Sequence, residues 1–249
     1  MVHPFVVVFA AMLIAGAPAR AADALKPLRT IVYDVAYSTS VARREQTSGF
    51  SNSTLSGSTS SMSSGHGEVE RHLTSDERGT LTVAIVAASK DGGLVADVAF
   101  AGKSTAQSPV RVAIFADGRL SYNPNTPLCP EALRVLPFLA RGLVAEHQMS
   151  AGESWSVPFA SPASGSTTYT IDRVDGERAV IAIDENMIVR GASSFTEHAE
   201  GKTTYATDIL SPITLELSSR TRRDVSPQET DTTDTHVLAT LVSDSFQQR

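Results

Sequence analysis

The sequence predicts a mainly β protein: a curved antiparallel meander sheet, either a half-barrel or an open barrel, with one short, Pro-kinked helical insertion. Three observations predict it. Apolar residues alternate with period two from Ile31 onward, tight-turn residues separate the alternating segments, and a single stretch has helical periodicity. Such alternation is typical of a sheet with one buried and one wet face, which favours antiparallel pairing.

The alternating segments predict about ten strands, given the usual spacing of short strands and turns. In each segment the apolar side chains share one parity, and the other parity carries Thr, Ser, Asp, Arg or Ala. The predicted inward-facing residues are Ile31, Tyr33, Val35, Tyr37, Leu81, Val83, Ile85, Ala87, Leu94, Ala96, Val98, Phe100, Val110, Val112, Ile114, Tyr169, Ile171, Ala179, Ile181, Ile183, Ile213, Leu215 and Leu217.

Four glycine-containing pairs or triplets lie between alternating segments and predict hairpins. They are Asp91-Gly92-Gly93, Asp117-Gly118, Asp175-Gly176 and Glu200-Gly201. A tight hairpin needs a residue that tolerates positive φ, and glycine does so at no steric cost. The chain is therefore predicted to run as consecutive hairpins.

Residues 130–144 interrupt the alternation and predict the helical insertion. Leu133, Leu136, Leu139 and Leu143 fall on one helical stripe. Pro130 suits a first helical turn. Pro137 removes a backbone donor, so it predicts a kink or a break into two short helices. The apolar stripe predicts that this segment packs on a face or an end of the sheet.

Residues 47–67 are rich in Ser, Thr and Gly, which favours a flexible loop. The alternative is a long strand of small residues, because Ser and Thr are tolerated on a pleated surface and a few apolar side chains in the segment could pack.

The N-terminal residues predict export. Residues 5–17 form an apolar run too short for a comfortable membrane span, and Ala-Arg-Ala at 19–21 is a small-x-small cleavage signal. We therefore expect a signal peptide at 1–22, followed by a single β-rich domain at 23–249 in the periplasm or outside the cell; the alternative is an uncleaved anchor. No later apolar run approaches the ~20 residues of a membrane helix, so no membrane span is expected after cleavage.

The formal net charge is −6, and the sequence has no basic stripe. This composition argues against nucleic acid as a partner. The chain has one cysteine, so no internal disulfide is possible and the hydrophobic core must hold the fold.

The segment HGEVERH at 66–72 places His66, Glu68, Glu70 and His72 at alternate positions, which raises the question of a metal site. Strand residues advance ~3.3 Å each, so His66 and His72 would stand ~20 Å apart, too far to share one ion. A wet strand face is the better interpretation, and neither a metal nor another cofactor is expected.

Two single residues have alternative interpretations. Cys129 precedes a predicted helix start, where backbone N–H groups can activate a thiolate; the favoured interpretation is a small buried residue under the helix. Trp155 is the single tryptophan, and burial preference favours a core anchor over a ligand platform.

The sequence contains no G-x-S-x-G, H-E-x-x-H or S-x-x-K motif and no glycine-rich phosphate loop. Paired acids such as Asp184 and Glu185 are interpreted as solubilising groups at turns and strand ends. A non-enzymatic protein is therefore favoured, and no catalytic residue is assigned.

Residues 117–124, DGRLSYNP, resemble the D-G-x-x-L-x-Y-x-P hairpin of periplasmic lipoprotein carriers, with one spacing residue fewer. The resemblance covers this hairpin and the overall plan of signal peptide, sheet and short helix. It implies a curved half-barrel, closed by helices, that shelters acyl chains in an apolar hollow.

The expected function is therefore a secreted or periplasmic binding or carrier protein for an apolar, lipid-like ligand. A structural or interaction protein of the cell envelope, with an envelope protein as partner, is the alternative; a hydrolase without a recognisable motif is third. The predicted ligand-binding residues are Leu133, Leu136, Leu139, Leu143, Phe100, Val112 and Ile114. The helix would either fill the hollow of the sheet or act as its lid.

Overall fold

A computed structural model describes residues 26–50, 64–90, 92–103, 106–123, 125–126, 128–140, 144, 147–159, 161–191, 194–226 and 229–246. The side chains of residues 45–50, 64–70 and 131 lie outside this description. The predicted signal peptide, residues 1–22, lies outside it as well.

Within the described residues the chain forms eleven strands and a short helical segment. The strands are β1 (Arg29–Phe50), β2 (Ser64–Ala88), β3 (Leu94–Gly102), β4 (Ala106–Ile114), β5 (Leu120–Tyr122), β6 (Ser154–Pro158), β7 (Ala163–Asp175), β8 (Arg178–Val189), β9 (Phe195–Ala206), β10 (Ser211–Ser226) and β11 (Glu229–Asp244).

All eleven strands belong to one antiparallel sheet, with the order β5-β4-β3-β2-β1-β11-β10-β9-β8-β7-β6. Consecutive strands are neighbours except for β5 and β6, which lie at opposite edges, and the first and last strands pair in the middle. The edges are β5 and β6, so the sheet is not closed on itself. The predicted antiparallel meander is confirmed.

The period-two alternation places the core on one face of this sheet, called here the inner face. Ile31, Tyr33 and Val35 on β1 are buried, and the inward residues of the neighbouring strands join them in one cluster. Ala87 was predicted to face inward, but it is exposed. A register shift between Ile85 and Ala87 moves its side chain off the buried parity.

Three of the predicted turns are confirmed. Gly92, Gly118 and Gly176 have positive φ and lie between strands. The prediction at Glu200-Gly201 is wrong, because both residues lie inside β9. Gly201 is instead a point of close approach: a Cβ there would overlap the carbonyl oxygen of Glu216 and touch Leu217 on β10. A glycine inside a strand can mark close backbone contact as well as a turn.

The helical insertion consists of α1 (Pro130–Val135) followed by a 3₁₀ helix (Leu136–Leu139). Pro130 occupies the first turn of α1, and Pro137 lies where α geometry gives way to the 3₁₀ helix. The predicted break into two short helices is confirmed. Leu143, within the predicted range, lies outside the described residues.

The sheet curves around the 3₁₀ helix. This four-residue helix lies against both β4 and β10, and four strands separate those two in the sheet. On a flat sheet β4 and β10 would be ~24 Å apart, because strands are spaced ~4.8 Å apart. A four-residue 3₁₀ helix is only ~8 Å long. The contact with both strands therefore requires the predicted curvature.

The loop predicted at 47–67 is wrong at both of its ends. Residues 47–50 belong to β1 and pair with residues 64–67 of β2. The alternative of a strand of small residues holds there, because backbone pairing between strands does not need apolar side chains. The remaining part of the predicted loop, residues 51–63, lies outside the described residues.

A buried ion pair joins the two ends of the described chain. Arg29 at the start of β1 donates through Nε to Oδ1 of Asp244, 3.0 Å away at the end of β11, and the Asp244 side chain is fully buried. Arg29 also donates to Ser211 Oγ at 3.0 Å, and its guanidinium lies 5.6 Å from the centre of the Phe246 ring. Charge-assisted hydrogen bonds of this kind are the stronger ones in proteins.

We expect Gly201→Ala to destabilise the protein, because the added methyl overlaps the backbone of β10. Overpacking of this kind typically costs about 1–3 kcal/mol. Thr196→Ala, at an exposed position of the same strand, is the matched control and should stay within about 0.5 kcal/mol of wild type. Urea unfolding measures both. Equal stability of the two variants would contradict the close approach.

Candidate functional site

One short segment shields the inner face of the sheet. We call residues 128–140 the cover segment. Among the described residues, the buried side chains of the core cluster come from three sources: the strands, this segment and Val144. The contributors from the segment are Leu128, Ala132, Val135, Leu136, Phe138, Leu139 and Ala140.

The predicted ligand-binding residues come together on this inner face. Phe100, Val112 and Ile114 are buried in the same cluster as Leu136 and Leu139, and Leu133 is half-buried beside them. Leu143 lies outside the described residues. Leu136 is 0% exposed, so in this structure the cover segment is packed directly onto the sheet.

An ion cluster ties the cover segment to the far half of the sheet. Arg134 of α1 donates to Glu197 of β9, and its Nη1 lies 3.5 Å from Oε1 of Glu185 on β8. Arg134 also donates to Ser219 Oγ on β10 at 3.4 Å, and Thr167 Oγ1 on β7 donates to Glu185 at 3.0 Å. One side chain of the cover segment thus reaches three strands.

Both carboxylates are shielded because they continue the buried parity of their strands. Ala179, Ile181 and Ile183 face the core, and Glu185 is the next residue of that parity on β8. The exposed fractions of the Glu185 and Glu197 side chains are 16% and 8%. The interpretation of Glu185 as a solubilising acid is therefore wrong, and its parity was the signal that could have corrected it.

Burial shifts the ionisation of this cluster. It raises the pKa of Glu185 above the ordinary value of 4.5; Arg134 and the Thr167 hydroxyl oppose that rise, and the charge of Glu197 adds to it. Burial acts to lower the pKa of Arg134, but the two carboxylates outweigh it, so the pKa lies above its ordinary value and the guanidinium stays charged. One permanent cation therefore faces two carboxyl groups.

The single tryptophan packs against the core, as predicted. Trp155 of β6 stacks between His147 and Tyr169, at ring-centre distances of 4.1 and 5.5 Å. Phe138 of the cover segment meets the Tyr169 ring edge-on at 6.1 Å. This aromatic cluster joins one end of the cover segment to the edge strand.

Cys129 lies immediately before α1, half-buried against the core. Its backbone N–H donates to Gln107 Oε1 on β4 at 3.0 Å. The favoured interpretation was a small buried residue under the helix; Cys129 does pack against the core, but it is only half-buried.

HGEVERH lies on β2, paired with residues 42–48 of β1. The side chains of His66, Glu68 and Glu70 lie outside the description. Among the residues that the structure does describe, no group of three or more potential ligands is close enough to hold a metal ion.

The outer face of the sheet carries a polar groove across β2, β1, β11, β10 and β9. On its wall the His198 ring hydrogen-bonds Asn186 through Nδ1 and Glu200 through Nε2, both at 2.9 Å. The hydrogen bond to Glu200 is the main cause of a raised pKa for His198. Both ring nitrogens of His198 are therefore engaged in hydrogen bonds to neighbouring side chains.

No protein-family model matches the chain, and no curated protein matches its sequence. A solved structure of lipovitellin, described by its lipid–protein interactions, is similar over 89% of this chain and 26% of that chain, with a TM-score of 0.46 and 8% identity. This chain thus spans about a quarter of that chain's length. A likeness of this size carries no argument about function, and nothing in these comparisons singles out the periplasmic lipoprotein carriers.

In the part of the chain that the structure describes, no helix has the length and apolar character needed to cross a membrane.

We expect Arg134→Met to lower the free energy of unfolding by about 3–5 kcal/mol, because it leaves two shielded carboxylates without a counter-charge. Glu185→Gln should cost much less or stabilise the protein at neutral pH, because its amide oxygen can still accept from Thr167 while the excess charge is gone. Guanidinium unfolding at pH 7 measures both variants.

The matched control is Arg220→Met, which removes an exposed arginine paired with Asp234 on the outer face. Exposed ion pairs contribute little, so this variant should stay close to wild type. An equal loss in Arg134→Met and Arg220→Met would show that the cluster under the cover segment is no more important than a surface pair.

Proposed function

We propose that the protein is a secreted, non-enzymatic binding protein that holds an apolar, lipid-like ligand between the inner face of its sheet and the cover segment. The observation that carries the proposal is that, among the described residues, a broad apolar face is shielded by the cover segment together with Val144. A face covered in this way can accept a ligand when one element moves, without disturbing the strands.

The cover segment is suited to moving because its helices are too short to be stable without their contacts to the sheet. Isolated helices shorter than about 12–15 residues are marginal in water, and α1 has six residues. Pro137 prevents α1 from continuing as one longer helix. The segment therefore depends on its packing against the sheet and on Arg134.

The burial free energy that is lost when the cover segment leaves the sheet is similar to the burial free energy that an acyl chain gains in its place. Burying a large apolar side chain is worth about 1.5–3 kcal/mol, so the five large buried side chains of the cover segment together contribute about 7–15 kcal/mol. They are Leu128, Val135, Leu136, Phe138 and Leu139. A buried CH₂ is worth about 0.8 kcal/mol, so an acyl chain of about twelve carbons offers about 10 kcal/mol. A ligand of that size can replace the contacts that the segment loses.

The second candidate is a structural or interaction protein of the cell envelope. It is favoured by the full burial of Leu136 beneath the cover segment, which is how a permanent core residue packs. In that case the segment fills the hollow and never leaves it. The two functions differ in whether the protein binds an apolar probe.

We expect a fluorescent fatty-acid probe with an anthroyloxy group to bind saturably and to receive energy from Trp155, because Trp155 lies one ring away from Phe138 of the cover segment. Leu136→Ala should strengthen the binding, since it makes room and weakens the cover. Titration of the probe, followed by Trp155 emission, measures both.

Leu73→Ala is the matched control, because Leu73 on β2 is 72% exposed and does not belong to the buried core cluster. It should leave binding unchanged. Failure of wild type and Leu136→Ala to bind the probe would support the second candidate. Loss of binding in Leu73→Ala would place the probe on the surface.

Export is part of this proposal, supported by the apolar run at 5–17 and the Ala-Arg-Ala signal at 19–21. We expect the mature protein from its own host to begin at Ala22 or Asp23. N-terminal sequencing measures this directly. Protein that retains Met1 would rule out signal cleavage.

A further inference from the structure

The ion cluster beneath the cover segment is unbalanced. Glu185 and Glu197 share one guanidinium, and the exposed fraction of the Arg134 side chain is only 24%. A shielded charge without its own counter-ion is costly, because the surroundings cannot replace the water it has lost. The cluster therefore holds one negative charge too many when both carboxyl groups are ionised.

The groups around Glu185 determine which proton can change. Arg134 faces it from α1, Glu197 from β9, and Thr167 and Tyr169 from β7, while Ser219 on β10 and Tyr37 on β1 face Arg134. Burial raises the pKa of Tyr169 far above neutral, so it stays protonated. Arg134 stays charged. A proton on Glu185 leaves a balanced Arg134–Glu197 pair.

We propose that Arg134, Glu185 and Glu197 form a pH-sensitive latch, which holds the cover segment on the sheet when Glu185 is protonated and loosens it when Glu185 is ionised. The ion pairs join elements that must separate for the inner face to open. The latch stands on the geometry of the closed form; its use in admitting a ligand rests on the proposed function.

The sign of the pH effect follows from burial. When the segment lifts, Glu185 meets water and its pKa returns toward the ordinary 4.5, whereas burial keeps it higher in the closed form. The closed form therefore binds the proton more tightly. The extra stability that this proton gives the closed form is complete below the ordinary pKa of Glu185. It is lost as the pH rises through the higher pKa that Glu185 has in the closed form. Falling pH therefore favours the closed segment, and rising pH favours its opening.

Cys129 provides a native probe of this opening. It is the chain's single cysteine and lies half-buried at the start of α1. A pyridyl disulfide reagent is expected to react with it faster when the segment lifts. The rate also follows the thiolate fraction, so wild type is compared with Glu185→Gln at each pH from about 5 to about 8, where the thiolate term cancels in the ratio.

We expect the ratio of wild-type to Glu185→Gln labelling rates to be near one at the acid end and to rise several-fold toward the alkaline end. Arg220→Gln, which alters an exposed pair on the outer face, should show no such trend. A ratio that stays constant with pH, or an equal trend in Arg220→Gln, would overturn the latch.

Hydrogen exchange of wild-type peptides covering residues 128–140 tests the latch without any substitution. After correction for the intrinsic rate, their protection relative to β10 should fall as the pH rises; unchanged protection would count against the latch. Neither experiment contains a ligand. The latch can thus fail while the fatty-acid probe binds, and probe binding can fail while the latch is found.

Discussion

The pairing of β1 with β11 is the contact on which the sheet depends. Five strands lie on one side of it, from β1 to β5, and six on the other, from β6 to β11. Within the described residues, β1–β11 is the ladder that joins these two groups into one sheet. The Arg29–Asp244 ion pair, with a fully buried carboxylate, fixes the register at one end of this ladder. The cover segment can contact β4 and β10 together because this junction holds both groups in a single curved surface.

The same curvature explains why so short a segment can close the core. A flat sheet of this width would need several helices to cover its apolar face. Here the 3₁₀ helix contacts both β4 and β10, which are distant in the sheet, and its residues Leu136 and Leu139 are buried in the core cluster. The apolar contacts cluster in the region where inward residues are large. Further along β8, Glu185 and Met187 take over that parity, and Arg134 marks the boundary between the dry and polar parts of the inner face.

Much of the fold could be predicted because parity, turn residues and prolines act locally. The alternation of Val110, Val112 and Ile114 sufficed to assign β4 and its buried face. Gly201 could not be assigned correctly, because a glycine in a turn and a glycine beneath a neighbouring strand look the same in the sequence, and only the register with β10 separates them. The predicted inward orientation of Ala87 was wrong for a related reason, because a bulge shifts the parity of the strand without leaving a sequence signal.

The apolar residues of the candidate site could be predicted from the sequence, but its ion cluster could not. The apolar stripe of Leu133, Leu136 and Leu139 marked the cover segment. The partners of Arg134 could not be found, because Glu185 and Glu197 are more than fifty residues away in the chain and meet Arg134 only after the sheet has curved.

Apolar packing alone would favour a permanently closed segment, since the burial of every apolar side chain in the segment would be lost on opening. In the proposed latch the shared arginine changes that balance, because it attaches the segment through a contact that responds to the protonation of Glu185, whereas the packing of Leu136 does not. A purely structural core would gain from replacing such a cluster by apolar residues, because buried ion pairs are poor stabilisers compared with well-packed hydrocarbon. Its presence beneath the cover segment therefore favours the proposal that this segment opens over the alternative that it only fills the hollow.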